Sequence, residues 1–334
     1  MSITFEVLGA PGKDNALLVL VDSGQEQSRL LFDCGENCLS NLGVSDVKSI
    51  HHLFFSHLHM DHISGFDTFF RINYSRDSLE NHIWGPPKTS TILHHRFRGF
   101  MWNLHQNMSS SWLISNISDN GVVETYKYEL NDAFETEQKI SSENTNFLIC
   151  KGTGYSVYAI TLNHNTPSIG YLVKEDDHLN IDISKLTSLG LHPGPWLREL
   201  KDNANQPENI TIEGREFSCK ELYDTLIIRT KGESIAYLTD FLMDESTFTH
   251  LIEFLYKCDT IICESQYRET DQDLAITNYH TTSTQSAKLA KQAKAGKLIL
   301  FHISARYLKS ERIDMLNDAR TIFSQTYYPP HWGI

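Results

Sequence analysis

Four potential metal ligands stand within six residues of one another: His57, His59, Asp61 and His62, fed by the apolar run His52–Phe55. In an extended segment, residues two apart point to the same side, so His57 and His59 can share one cation. Asp61 and His62 fall where the chain turns into a helix expected near Ile63, which aims them at a neighbouring point. Imidazole nitrogen combined with carboxylate oxygen suits zinc, with manganese or iron(II) also compatible. A single histidine in a strand is usually a surface or hydrogen-bonded core residue. Four donors at one strand end call for a different account.

Later strand ends supply more donors of the same kind. His164 follows the apolar run Tyr155–Leu162, Asp240 follows Ile235–Leu238, and His302 follows Leu298–Phe301. Taken singly, each also fits a hydrogen-bonded histidine or a helix N-cap aspartate. Three at equivalent positions, after the first motif, point to a shared site, because open sheets carry their reactive groups at strand ends.

The elements that must position these residues alternate along the chain. Strand-like runs at Ile3–Leu8, Ala16–Val21, Leu30–Phe32 and His52–Phe55 are each bounded by Gly, Asp or Asn. Further runs are Tyr155–Leu162, Ile169–Val173, Thr225–Arg229, Ser234–Leu238, Thr260–Cys263 and Lys297–Phe301. Helical spacing marks Ser246–Tyr256, Thr284–Ala295 and Glu311–Phe323, the second ending at Gly296 in the manner of a glycine C-cap. Strands followed by helices predict sheets covered by helices in an α/β layered domain spanning 1–334. Two stretches interrupt the rhythm. Residues 71–146 read as a polar insertion, and 174–201 as an arm whose tip, Pro193-Gly194-Pro195, no helix could keep.

Bulk properties narrow the function. The chain has 334 residues, 40% hydrophobic and 21% charged, with a net charge of −13. That charge argues against a broadly basic protein that coats nucleic acid, though not against a local basic groove. No run approaches the ~20 apolar residues of a membrane helix. The opening Met1–Ala10 lacks the basic-then-apolar order of a secretion signal. The six cysteines show neither disulfide-like nor zinc-ribbon spacing. Reduced, mostly buried thiols in a cytoplasm are therefore expected.

The motifs together resemble the metallo-β-lactamase superfamily, and more narrowly its tRNase Z group. The resemblance rests on Leu31-Phe-Asp33-Cys-Gly35-Glu36, the His57–His62 motif, Trp84-Gly-Pro-Pro87, His164-Asn-Thr-Pro-Ser168-Ile-Gly170-Tyr171 and Gly190-Leu-His-Pro193-Gly194-Pro195. Tyr279-His280-Thr-Thr282 and Phe301-His302-Ile-Ser-Ala-Arg306-Tyr307 complete it. It implies a four-layered αββα sandwich that holds two divalent metal ions, zinc before manganese or iron. One ion would sit on His57, His59 and His164, the other on Asp61, His62 and His302, with Asp240 bridging.

The same resemblance implies removal of 3′ trailers from precursor tRNA by a cytoplasmic homodimer. His280 would protonate the leaving oxygen, Glu264 would hold His280 charged, and Asp61 would serve the nucleophile. Lys13, Ser168, Arg306 and the tip Pro193-Gly194-Pro195 would contact substrate. The sequence departs from the group in two places. The N-terminal Pro-x-Lys-x-Arg-Asn loop is present only as Pro11-Gly-Lys13-Asp-Asn15, one residue shorter and without its arginine. The arm carries Glu175, Asp176, Asp177 and Asp182 against Lys174, Lys185, Arg198 and Lys201. A related phosphodiesterase acting on cyclic nucleotides or other small phosphodiesters is the competing reading. A thiolester or lactone hydrolase has no need of the Glu264–His280 pair, and a non-catalytic RNA binder has no need of seven ligands.

Overall fold

The structure, a computed structural model, describes residues 2–24, 26–201 and 208–334. These fall into two compact units, one formed by Met1–Glu175 with Glu233–Ile334 and the other by Asp176–Gly232.

The larger unit opens with an eight-stranded sheet whose strands lie in chain order: β1 (Ser2–Gly9), β2 (Asn15–Asp22), β3 (Gln27–Phe32), β4 (Ile50–Phe54), β5 (Asn81–Gly85), β6 (Ser111–Ile117), β7 (Val122–Glu129) and β8 (Gln138–Asn144). Strands β3 to β6 run parallel, and the outer pairs are antiparallel. The stretch read as an insertion thus supplies half of this sheet. Its last strand, Gln138–Asn144, is largely solvent-exposed, so it shows none of the apolar alternation by which buried strands are recognised.

The second sheet begins with β9 (Leu148–Gly152), β10 (Tyr155–Asn163) and β11 (Pro167–Glu175). The chain then forms the smaller unit from two antiparallel pairs. These are β12 (His178–Ile181) with β15 (Ile227–Thr230), and β13 (Asn209–Ile212) with β14 (Arg215–Ser218). Leu186, Leu191, Leu200, Ile210, Ile212, Leu222 and Leu226 give this unit a core of its own. It extends well past residue 201. The strand expected over Thr225–Arg229 begins only at Ile227, because Cys219–Leu226 is a helix that buries Leu222 and Leu226 on one face. The chain re-enters the second sheet with β16 (Ser234–Leu238), β17 (Thr260–Glu264), β18 (Lys297–Phe301) and β19 (Thr326–Tyr327). Its order is β19-β18-β17-β16-β11-β10-β9.

Side chains two apart face the same way in a strand, and this separates the layers. Leu30, Phe32 and Phe54 face the second sheet in one core, which continues through Tyr171 and Tyr237 to Leu251, Leu289 and Met315 on the helices beyond. Leu31, Leu53 and Phe55 face outward into a second core with Phe66, Phe70, Leu93 and Phe97. The layers are therefore helix, sheet, sheet, helix, as the αββα expectation requires. Phe32 touches both Tyr171 and Tyr237 across the sheets, at centroid distances of 5.5 and 5.8 Å. The helix expected over Thr284–Ala295 runs Ser283–Gln292. Its left-handed residue is Lys294 and not Gly296. Gly296 is small for another reason, since a Cβ there would come within 2.6 Å of the Asp259 carbonyl.

Candidate active site

Six strand ends of the larger unit converge. Asp33 follows β3, His57 to His62 follow β4, His164 follows β10, Asp240 follows β16, Glu264 ends β17 and His302 follows β18. The chain must turn sharply where it leaves these strands. Asp33, Asp240 and His302 adopt left-handed backbone angles, with φ of 57, 51 and 50°. Non-glycine residues seldom hold this conformation, and such strain gathers at functional sites.

The geometry brings all seven sequence-predicted ligands together. Donor atoms of His57, His59 and His164 form one cluster, and those of Asp61, His62, Asp240 and His302 a second, with the atoms of each within 4.8 Å of one another. Asp240 Oδ2 lies 3.6 Å from His57 Nε2, 3.7 Å from His164 Nε2 and 3.5 Å from His62 Nε2. Asp61 Oδ2 lies 3.4 Å from His62 Nε2 and 3.5 Å from His302 Nε2. Two donors about 2.1 Å from one cation at a tetrahedral angle stand about 3.4 Å apart. These separations are thus too long for good hydrogen bonds and right for ligands sharing an ion. The imidazole nitrogens His57 Nε2, His62 Nε2 and His302 Nδ1 are buried without a hydrogen-bond partner. Buried polar atoms are rarely left so, and the donor set fits divalent cations.

The surrounding hydrogen bonds fix which nitrogen points inward. His62 Nδ1 meets Asp33 Oδ2 at 2.7 Å, and His164 Nδ1 meets the Tyr279 carbonyl at 2.7 Å. Each partner on Nδ1 turns Nε2 toward the cluster, an arrangement common to metal-binding histidines. In the sequence reading Asp33 is only part of the Leu31–Glu36 motif with no chemistry assigned, although the strand-end rule that found His164 also covers it. Its buried carboxylate accepts from the Ser56 amide and hydroxyl at 2.7 Å each, and from the Tyr237 hydroxyl at 2.8 Å.

Burial, followed by the charge of His62, pushes His57 well below the usual imidazole range, and burial with His164 lowers His59. Burial opposes a charge on His62 too, but the Asp240 and Asp33 carboxylates hold it well above that range. Burial would raise Asp61 and Asp240. The facing histidines, His302 and His62 foremost, hold both well below the carboxylate range.

Beside the clusters, His280 Nδ1 lies 2.8 Å from Glu264 Oε2. Glu264 is fully buried, and its other oxygen accepts from the Phe241 amide at 2.8 Å, next to Asp240. Burial disfavours the charged imidazole, yet Glu264, with help from Asp240 and Asp61, pushes His280 up to about 9. Arg306 lies over the Tyr267 ring at 5.3 Å, and that ring meets His280 edge-on at 5.9 Å. Lys13 is exposed on the loop after β1. Ser168 is fully buried and its hydroxyl donates to the Thr239 carbonyl, bracing β11 against the Asp240 turn. Pro193, Gly194 and Pro195 belong to the smaller unit, where Gly194 lies against the Trp196 ring.

Residues 13–183 match the family model described as Anti-Pycsar protein Apyc1. That span includes the first motif and His164 and stops short of Asp240, Glu264, His280 and His302. Matches over nearly the whole chain are also found. A ribonuclease Z of Deinococcus radiodurans is 42% identical over 326 residues, covering 98% of this chain and 97% of the relative. A ribonuclease Z of Prochlorococcus marinus is 30% identical over 337 residues, covering 98% and 96%. Among solved structures, the metallo-β-lactamase fold protein YhfI of Bacillus subtilis aligns with a TM-score of 0.58 at 15% identity, over 98% of this chain and 96% of its own. The short form of human tRNase Z aligns with a TM-score of 0.55 at 16% identity, over 92% and 94%. Sequence identity along almost the entire length, on this fold and with this cluster of donors, makes the chain a member of the ribonuclease Z family of the metallo-β-lactamase superfamily.

Proposed function

We propose that the protein is a dinuclear-metal phosphodiesterase, the endoribonuclease that removes 3′ trailers from precursor tRNA. The observation that carries this reading is the Glu264–His280 pair, 2.8 Å apart, beside two clusters of inward-facing imidazole nitrogens and carboxylates. In this reading His57, His59 and His164 hold one ion, Asp61, His62 and His302 hold the other, and Asp240 lies between. These residues would hold two divalent cations, zinc or in its place manganese or iron(II), which when bound would supply positive charge near the phosphate and the attacking water.

The chain's own groups do the rest. Asp61 orients the water and takes its proton. As the bond from phosphorus to the ribose 3′-oxygen breaks, His280 delivers the proton of its free Nε2 to that oxygen, which is a poor leaving group unprotonated. Glu264 keeps His280 charged and, through the Phe241 amide, in register with the Asp240 turn. Arg306 and Lys13 meet neighbouring phosphates, and the Pro193-Gly194-Pro195 tip grips the tRNA body. The reading includes a cytoplasmic homodimer, and six buried cysteines in no disulfide fit a reducing compartment.

The second reading is a phosphodiesterase acting on cyclic nucleotides or other small phosphodiesters. Incubation of metal-loaded protein with precursor tRNA bearing a 3′ trailer separates the two. Cleavage just after the discriminator base is the expected result. Hydrolysis of small phosphodiesters alone, with precursor tRNA intact even at low salt, would sink the first reading.

A further inference from the structure

The loop from Gly9 to Asn15 lacks the arginine that the resemblance leads one to expect, yet it is tied at both ends to the last thirty residues of the chain. At Gly12 (φ 75°), a Cβ would lie 3.0 Å from Ala305 Cα and 3.0 Å from the Arg312 guanidinium. A side chain there would crowd both neighbours while holding a left-handed backbone. Arg312 therefore lies directly against the peptide that precedes Lys13. Its Nε is buried without a partner, and no carboxylate pairs with its guanidinium among the described residues. At the other end, the Gly9 carbonyl accepts from His331 Nε2 at 3.1 Å and Trp332 Nε1 at 3.3 Å. Tyr328 joins the two anchors, since its hydroxyl donates to the Arg312 carbonyl at 2.8 Å while its ring lies 5.8 Å from Trp332.

The same loop touches the candidate metal site from its other side. Asp14 accepts from the Glu36 amide at 2.9 Å, and Gly35 packs so closely on the Asp61 carbonyl that a Cβ would come within 2.6 Å of it.

We infer that Arg312, on the C-terminal helix Lys309–Ile322, is a positioning residue for substrate binding. It holds Pro11-Gly12-Lys13 against Ala305 so that the Lys13 ammonium meets a backbone phosphate next to the scissile one. This rests on the reading of the protein as a polynucleotide phosphodiesterase. Its geometric half does not.

Two measurements decide it. Hydrogen exchange of the metal-loaded protein without substrate reads the loop itself, because the Lys13 amide donates to the Ala10 carbonyl at 3.1 Å. Arg312→Ala should speed exchange over residues 10–14 about tenfold and leave the amides of helix 309–322 as they were. The second is steady-state cleavage of precursor tRNA. Arg312→Ala should raise KM about tenfold, the scale of one charged phosphate contact, with kcat moving less than twofold. Lys13→Ala should match it, and the double variant should be no worse than either single change. Unaltered exchange in Arg312→Ala overturns the positioning role whatever the substrate. Effects on KM that add would mean that Arg312 does not act through Lys13. Failure of the unaltered protein to cut precursor tRNA would instead count against the functional reading, and the exchange measurement would still decide this one.

Discussion

His62 Nδ1 lies 2.7 Å from the carboxylate of Asp33, a fully buried residue that also gathers the Ser56 amide, the Ser56 hydroxyl and the Tyr237 hydroxyl. One anion thus aligns a candidate ligand, the strand end that carries the first motif, and a tyrosine from the opposite sheet. Asp33→Ala should lower metal affinity about 10- to 100-fold, as loss of a ligand's supporting carboxylate does. It should also destabilise the fold by about 3 kcal/mol, because several buried donors lose their acceptor. Competitive chelation and thermal denaturation check the two parts. Full metal affinity in a folded Asp33→Ala protein would contradict this role.

Asp240 faces ligand nitrogens from both clusters, at 3.5 to 3.7 Å from His57, His62 and His164 and 3.3 Å from His302. Asp240→Ala should therefore deplete both ions together. Metal analysis after gel filtration reads this directly, and two ions retained per chain would show that Asp240 does not bridge.

His280 is paired with Glu264 rather than with a ligand. His280→Ala should reduce kcat on precursor tRNA by about 10²- to 10⁴-fold, the range of a general acid, without changing metal content. Loss of metal from this variant would reassign His280 to the ligand set.

The pH dependence follows from the same pair. His280 is pushed up to about 9 in the folded protein, against an ordinary value of 6.5. A histidine raised in this way stabilises fully below its unfolded value, and that contribution disappears as pH rises through the folded value. Metal-free protein should therefore lose stability between about pH 6.5 and 9, and His280→Ala should lose less over that window. Activity should fall on the alkaline side as the acid is deprotonated. In Glu264→Gln burial dominates, so this limb should move to lower pH in a pH–rate profile. An alkaline limb unmoved by Glu264→Gln would separate the pair from the proton transfer.

The site was legible in the sequence because its chemistry sits at the ends of apolar strands. His164, Asp240 and His302 each follow a largely apolar strand, and the structure gathers all of them. Asp33 was missed since an aspartate before Cys-Gly reads equally well as a turn residue. The stretch 71–146 hid four strands, and the last of them, Gln138–Asn144, lies at the sheet's edge and buries little on either face, so it has no alternation to detect. The smaller unit's extent to Gly232 depends on Ile210, Leu222 and Leu226 meeting Leu186 and Leu200, contacts between segments far apart in the chain.

The order of the strands carries a consequence for biosynthesis. The first sheet is laid down in chain order, each strand beside its predecessor, so it can assemble while the ribosome is still adding residues. The ligand set cannot. Asp240, Glu264 and His302 lie on strands that join the second sheet last, and the loop bearing Lys13 waits for Trp332. A nascent chain halted before the final strands would carry the histidine-rich motif on a complete first sheet and have no means of cutting RNA, so hydrolytic competence arrives late in translation.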